Sequence, residues 1–330
     1  RIPPRVKIRE NAAIELPHVM LLVYDPIDRQ KIDGCQCDTQ EDAVNIAAVK
    51  HGIIEYVYAI RDTLCKLYDT DLMQGGGHIR GYAVEGEAAK QVTEAFAAKQ
   101  ESSGGFLFAV GDGNHSLATA KTCWENIKKS GKFTEEQLKT HPARHALVEI
   151  CNLHSEALEF KPIHRLLTNV DVKDMLSFFE AEITKQGLES TEGDEIVFEY
   201  VESGSCDSAK PANGNEVVSE NNDGRCTAPI KNSGINITNR GDRLPVEILQ
   251  GILDKYLETH GNVEIDYIHG DEALHGLVKE TKGCGIFLQS IDKSTLFPAI
   301  NAGGVLPRKT FSIGEANEKR YYMECHKISM

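Results

Sequence analysis

The stretch FLFAVGDGNHSLATAKTCWENIKK, Phe106 to Lys129, decides how the rest of the chain is read. Its opening apolar run has the length and composition of a short buried strand. The run stops at Gly111-Asp112-Gly113-Asn114-His115, and a helical pattern begins at once, expected from about Ser116 to Lys129 and ended by Ser130-Gly131. A strand-to-helix corner leaves backbone N–H groups without intrahelical partners, and the helix dipole adds partial positive charge there. Glycines at positions 111 and 113 would let the main chain approach a ligand with no β-carbon in the way. Such a corner suits an anion, most naturally phosphate, and Asn114, His115 and Ser116 add side-chain donors. Asp112 would repel a bare phosphate, so it reads as a Mg2+ ligand, an N-cap or a base. The plainer reading is a capped helix after a glycine turn. Neither GxxxxGK[ST] nor GxGxxG fits the corner, which argues against a Walker ATPase or a Rossmann dehydrogenase.

Working outward, LPHVMLLVYDP (Leu16–Pro26) reads as a buried strand, and Thr39–Gly52 as a helix capped by Thr39. Three glycines at 75–77 form a loop between two strand-like pieces, and Glu85–Gln100 is an amphipathic helix. Further on, DVKDMLSFFEAEITKQG and LPVEILQGILDKYLETHG are helices, while Glu202–Cys226 is a polar Gly/Asn/Ser-rich insertion. Strand and helix patterns alternate, so the expected class is α/β, with α+β as the other arrangement. Two domains are expected, 1–145 carrying the corner and 146–330 a second α/β domain, with two mixed sheets.

The chain has 330 residues with 36 Lys+Arg against 50 Asp+Glu, a formal charge of −14. That surplus of acid argues against a nucleic-acid or anionic-membrane binder. No apolar run approaches the roughly 20 residues of a membrane helix, so a cytoplasmic location is expected. Nine scattered cysteines, of which only Cys35 and Cys37 are close, suit free thiols in a reducing compartment. Cys123 and Trp124 read as packing residues on the corner's helix.

Other polar clusters carry chemistry. Asp69 and Asp71 share one face of an extended segment, followed after the glycines by His78 and Arg80. Paired carboxylates suit Mg2+ ligation, together with Asp112, or deprotonation of an acceptor hydroxyl, and Arg80 suits a bidentate anion contact. His164-Arg165 reads as an anion clamp, against chance helix capping. Glu149 and His154 read either as lining the same cleft or as satisfied core or interface residues. Near the C-terminus Arg308, Lys309, Ser312, Glu315 and Arg320 crowd between Gly304 and Gly314 and beyond, a set suited to offsetting phosphate charge.

The corner, together with LYDTDLMQGGGHIRGY, HPARHALVEICNLH, PIHR and GVLPRKTFSIGEANEKRYYME, resembles a widespread, long-uncharacterised bacterial family. That family shares the phosphate-binding corner of the ParB/sulfiredoxin-like superfamily and is related to free serine kinases, whose corner usually reads Asp-Gly-His-His-Arg. The resemblance implies a ParB/sulfiredoxin-like core and phosphoryl transfer from pyrophosphate or a nucleoside diphosphate to a small hydroxyl acceptor, foremost free L-serine. Site roles follow: Asp112, His115 and Asp69 catalytic; Gly111, Gly113, Asn114, Ser116, Arg308 and Lys309 on phosphate. His78, Arg80, His164, Arg165, Ser312 and Glu315 would meet the substrates, with Mg2+ held by Asp69, Asp71 or Asp112. Asn114 and Ser116 replace the His and Arg of many serine kinases, which favours pyrophosphate as donor. Asn114 also replaces the reactive cysteine of sulfiredoxin. Family members usually extend further upstream, and RIPPRVKIREN resembles a point well inside them, which implies an absent segment with a glutamate base. A phosphometabolite hydrolase, a non-catalytic phospholigand sensor and a scaffold subunit are the rival readings. Partners are small molecules, with oligomerisation left open.

Overall fold

The computed structural model describes residues 2–16, 19–25, 52–202, 229–314 and 323–330. The helix expected at Thr39–Gly52 apart from Gly52 itself, the pair Cys35 and Cys37, nearly all of the polar insertion, Glu315 and Arg320 lie outside the described residues. The chain divides into two compact units, Arg1–Glu159 with Ile313–Met330, and Phe160–Ser312. The sequence suggested a division at 145/146. What the linear reading lacked is the return of the C-terminal residues to the first unit.

Unit 1 runs α1 (Ile2–Arg9), β1 (Ile14–Glu15), β2 (Met20–Val23), α2 (Ile53–Ile60), β3 (Cys65–Asp71), β4 (His78–Ala83), α3 (Gly86–Ser102), β5 (Phe108–Asp112), α4 (Asn114–Lys129), α5 (Glu135–Thr140) and β6 (Glu149–Asn152). The all-apolar β2 forms the centre of a three-stranded mixed sheet, antiparallel to β5 and parallel to β6. Leu22 and Val23 are fully buried there, as a central strand requires. β5 ends with Asp112 opposite Met20, so the corner into α4 stands at the end of this sheet. β3 and β4 make a separate antiparallel hairpin. Gln74, Gly75 and Gly77 all have positive φ in its loop, which is why the turn is glycine-rich. The last strand, His326–Lys327, pairs with β1 through Ile14↔Lys327.

Unit 2 holds β7 (Phe160–Thr168), α6 (Val172–Lys185), β8 (Glu189–Val201), β9 (Ile230–Thr238), α7 (Pro245–Thr259), β10 (Glu264–His269), α8 (Asp271–Thr281), β11 (Cys284–Leu288), α9 (Lys293–Gly303) and β12 (Phe311–Ile313) up to Ser312, with Ile313 counted in unit 1, so His326–Lys327 is β13. Its sheet has the order β10-β7-β11-β8-β9, with β12 added on β7. Every pair along that path is antiparallel. The expectation was two mixed sheets: parallel and antiparallel pairs meet in the small sheet, while the five-strand path of the larger one is antiparallel throughout. The reason is interleaving. α6 joins β7 to β8 with β11 between them, and the β10–α8–β11 connection straddles β7, so along that path parallel strands are not neighbours. The α/β class itself stands.

Period-2 alternation covers both faces of β7. Leu167 enters a core with Phe179 and Ile183 of α6, Leu249 and Leu253 of α7, and Phe198 and Ile286 of the sheet. Leu166 points the other way, against Leu274 and Val278 of α8. Burying a side chain of this size contributes about 1.5–3 kcal/mol, which is why unit 2 has little room for exposed chemistry along β7.

Candidate functional site

The corner forms as the sequence suggests, two residues earlier than expected. Gly113 occupies the N-cap of α4 at φ 91°, ψ 14°, a left-handed conformation that favours glycine. No side chain caps this helix start. Asp112 precedes the cap, and its Oδ1 accepts from the Gly113 amide at 2.7 Å. The first-turn amides of Asn114, His115 and Ser116 thus have no capping side chain to satisfy them, and Asn114 and His115 are exposed. Gly111 has a different reason from the one expected. A β-carbon there would come within 3.0 Å of Leu22 and 3.2 Å of Ile313, so the glycine sits in tight contact with apolar side chains.

A groove of about 450 Å3 begins at Asn114 and follows one face of α4 past Leu117 and Ala118 to Trp124. Its far wall is Ala143–Ala146. The spacing 114, 117, 118, 121 and 124 is a single helix stripe. Lys121, Arg144 and His145 are exposed at its edge, and no carboxylate lines it. The wall is fixed by His141, buried, whose Nδ1 accepts from the Ala143 amide at 3.1 Å. Burial pushes the His141 pKa down. The expectation for Cys123 agrees with its burial, while Trp124 is half-exposed and lines the groove.

On the β3–β4 hairpin the structure gathers Asp69, Asp71, His78 and Arg80. His78 Nδ1 lies 2.6 Å from Asp71 and its Nε2 2.5 Å from Asp69. Only an imidazolium donates from both nitrogens, and the hydrogen bonds to Asp71 and then Asp69 raise the His78 pKa. Asp69 also accepts from Lys66 at 2.8 Å and Arg80 at 3.4 Å. The Lys66 and His78 hydrogen bonds hold its carboxyl far below the usual range. Asp69 is thus ionised but a poor base. Among the described residues no group of three or more His, Cys, Asp and Glu is arranged to hold a metal ion. Of Asp69, Asp71 and Asp112, any of which was expected to help hold Mg2+, the first two bond His78 and the third accepts from the Gly113 amide.

In unit 2, His164 and Arg165 sit on the buried strand β7 and are 1% and 0% exposed. His164 Nδ1 accepts from the Leu288 amide at 3.2 Å, and its Nε2 lies 2.7 Å from Asp271. That pattern fixes a neutral ring, and burial pushes its pKa down. Arg165 donates to Gln250 at 3.2 Å, to the Lys309 carbonyl at 3.1 Å and to the Ile163 carbonyl. Burial draws its pKa to about 10, so it remains a cation at neutral pH. Neither residue is an open clamp. Arg308 and Lys309 are exposed, and Ser312 is half-exposed on β12. Glu149, exposed on β6, accepts from the Cys151 thiol at 3.4 Å, and His154 packs edge-on to Tyr24. The sequence reading missed Tyr267 and Gln250. A signal existed for Gln250: it is 2% exposed in the apolar run ILQGIL, and a polar residue there needs a partner.

Against known proteins, a family model described as "Protein of unknown function (DUF1015)" matches residues 1–232. No curated protein matches. Among solved structures, a conserved hypothetical protein from Pyrococcus furiosus is 14% identical, with 64% of this chain and 71% of that chain covered and a TM-score of 0.36. A free serine kinase mutant in complex with ADP is 12% identical over 97% of this chain and 96% of that one, with a TM-score of 0.40. A free serine kinase in complex with AMP is 13% identical over 97% and 95%, with a TM-score of 0.39.

Proposed function

The chain belongs to the DUF1015 family of proteins of unknown function, and within it we propose a cytosolic phosphotransferase that moves a phosphoryl group onto a small hydroxyl acceptor. The observation that carries this reading is the uncapped start of α4, where first-turn amides and the exposed Asn114 and His115 adjoin a groove with cationic edges. A phosphate seated at Gly113–Ser116 would complete the helix start as a side-chain cap normally does. Phosphoryl transfer is mostly positioning and charge stabilisation, so donors of this kind suffice without a covalent nucleophile.

A groove of about 450 Å3 with apolar walls exceeds what bare pyrophosphate fills. It favours a nucleoside diphosphate as donor over the pyrophosphate that Asn114 and Ser116 suggested. Asn114 and Ser116 then hold the phosphate group and His115 moves the proton. Free L-serine is the acceptor proposed from the family resemblance, giving O-phosphoserine and a place in amino-acid metabolism. Mg2+ is not given a step, since among the described residues no carboxylate group is arranged around one. No helix among the described residues is long and apolar enough to cross a membrane.

The test is turnover. The protein is mixed with L-serine, Mg2+ and, in separate tubes, pyrophosphate, ADP or ATP, and product is followed by phosphorus NMR. O-phosphoserine with ADP supports the reading. Phosphate release without an acceptor would make it a hydrolase, and saturable binding without chemistry a sensor.

A further inference from the structure

Among the described residues, unit 2 contains three cations, Arg165, Arg308 and Lys309, with no carboxylate hydrogen-bonded or ion-paired to them. Arg165 spends its donors on Gln250 and on the carbonyls of Ile163 and Lys309. Arg308 Nε donates to the Tyr267 hydroxyl at 3.1 Å, and among the described residues the Lys309 side chain has no hydrogen bond or ion pair. Both guanidinium groups lie near the Tyr267 ring, Arg165 at 5.1 Å from its centroid and Arg308 at 5.7 Å. The nearest acid to Arg165 along its contacts is Asp254, one amide away, bonded to Gln250 at 2.8 Å. In a chain with 50 acidic and 36 basic residues, like charges gathered this way are costly unless an anion joins them.

The backbone points the same way. Lys309 has φ 60°, which costs a residue with a side chain about 1–2 kcal/mol. Strain of this kind persists only where the surroundings hold it. Here the Arg165 fork holds the Lys309 carbonyl, and the Thr310 hydroxyl donates to the Pro307 carbonyl at 2.6 Å. The buried fork therefore builds a rigid turn whose outward side chains are Arg308 and Lys309.

We infer that Pro307–Thr310 is an oxyanion site belonging to unit 2 alone, where Arg308 and Lys309 grip a phosphate-class group and Arg165 is the positioning residue that shapes the turn. The site needs nothing from the α4 corner and stands whether or not the chain transfers phosphoryl groups.

Inorganic pyrophosphate is titrated calorimetrically into the whole protein. To silence the other corner, Ser116→Glu places a carboxylate in the first turn of α4, where the helix dipole tolerates it and phosphate does not. That variant is expected to bind one pyrophosphate still. Adding Arg308→Ala or Lys309→Ala should weaken that binding about tenfold each, the loss of one charge-assisted contact. Both residues are on the surface, so folding is not at issue. Arg165→Lys keeps the charge but not the fork. It should weaken binding about fivefold to tenfold and speed amide exchange at 304–312, since a point charge cannot replace a bidentate grip. Ser116→Glu abolishing all pyrophosphate binding would overturn the inference and leave the α4 reading intact. Unchanged affinity in Arg308→Ala and Lys309→Ala would overturn it too. Unchanged exchange and affinity in Arg165→Lys would remove the positioning role. Absence of turnover with binding at 307–310 intact would instead sink the phosphotransferase reading.

Discussion

Two helix starts, one in each unit, use the same residue type to opposite ends. At α6 in unit 2, Asp171 is the N-cap itself, and its Oδ1 accepts from the amides of Lys173 at 3.0 Å and Asp174 at 3.2 Å. At α4 in unit 1, Asp112 stands one residue earlier and turns to the Gly113 amide, leaving the first turn without a side-chain cap. A shift of one position separates a helix that satisfies itself from one that has donors to offer. The two units differ the same way elsewhere. Unit 1 gathers its ionic groups on an exposed hairpin, whereas unit 2 takes His164, Arg165 and Gln250 into its core.

The largest expected effect comes from His115→Ala, with a loss of at least about 100-fold in transfer rate if the side chain moves a proton. Its melting temperature should match the parent, because exposed sites change stability by no more than about 0.5 kcal/mol. A destabilised protein with normal turnover would break the comparison.

Gly113→Ala tests the backbone at the same corner. Forcing a β-carbon to φ 91° should cost about 1–2 kcal/mol in chemical denaturation. Asp171→Ala should cost about 1 kcal/mol through two lost cap bonds, with transfer unaffected. If Asp171→Ala proved neutral, the contrast between a self-capped and an open helix start would lose its energetic meaning.

The smallest effects concern pH, and here the histidines of the two units should move in opposite directions. The His78 pKa is raised in the folded state, so its contribution is fully present below the unfolded value of about 6.5 and fades as pH rises through the folded value. Asp69 is depressed, so its share is present above about 3.9 and lost as pH falls through its folded value. His164 is depressed, and the unfolded chain binds its proton more readily, so unit 2 weakens as pH falls below about 6.5. Proton NMR titration reads each ring directly. His78 titrating at or below an ordinary histidine, or His164 above one, would contradict the assignment.

Much of unit 1's site was readable without coordinates. The apolar run before Gly111, the switch to a 3.6 period and the glycine at 113 fixed β5, the corner and α4, since each is a local preference. The helices at Glu85 and Leu244 were equally plain for the same reason, observed as Gly86–Ser102 and Pro245–Thr259. By contrast KPIHRLL showed an arginine but not its burial. Burial depends on β10 and β11 arriving on either side of β7, from about 100 residues further along the chain.

What the sequence determined by itself, then, is the strand, corner and helix at Phe106–Lys129 and the amphipathic helices, because hydrophobic period, glycine and capping chemistry act over a few residues. Tertiary structure alone decided which charges face water. Packing turned Arg165 into an internal support and set Arg308 and Lys309 outside it. It also tied Asp69 and Asp71 to His78 across the hairpin. Those outcomes rest on contacts between distant segments, whose pairing no local pattern encodes.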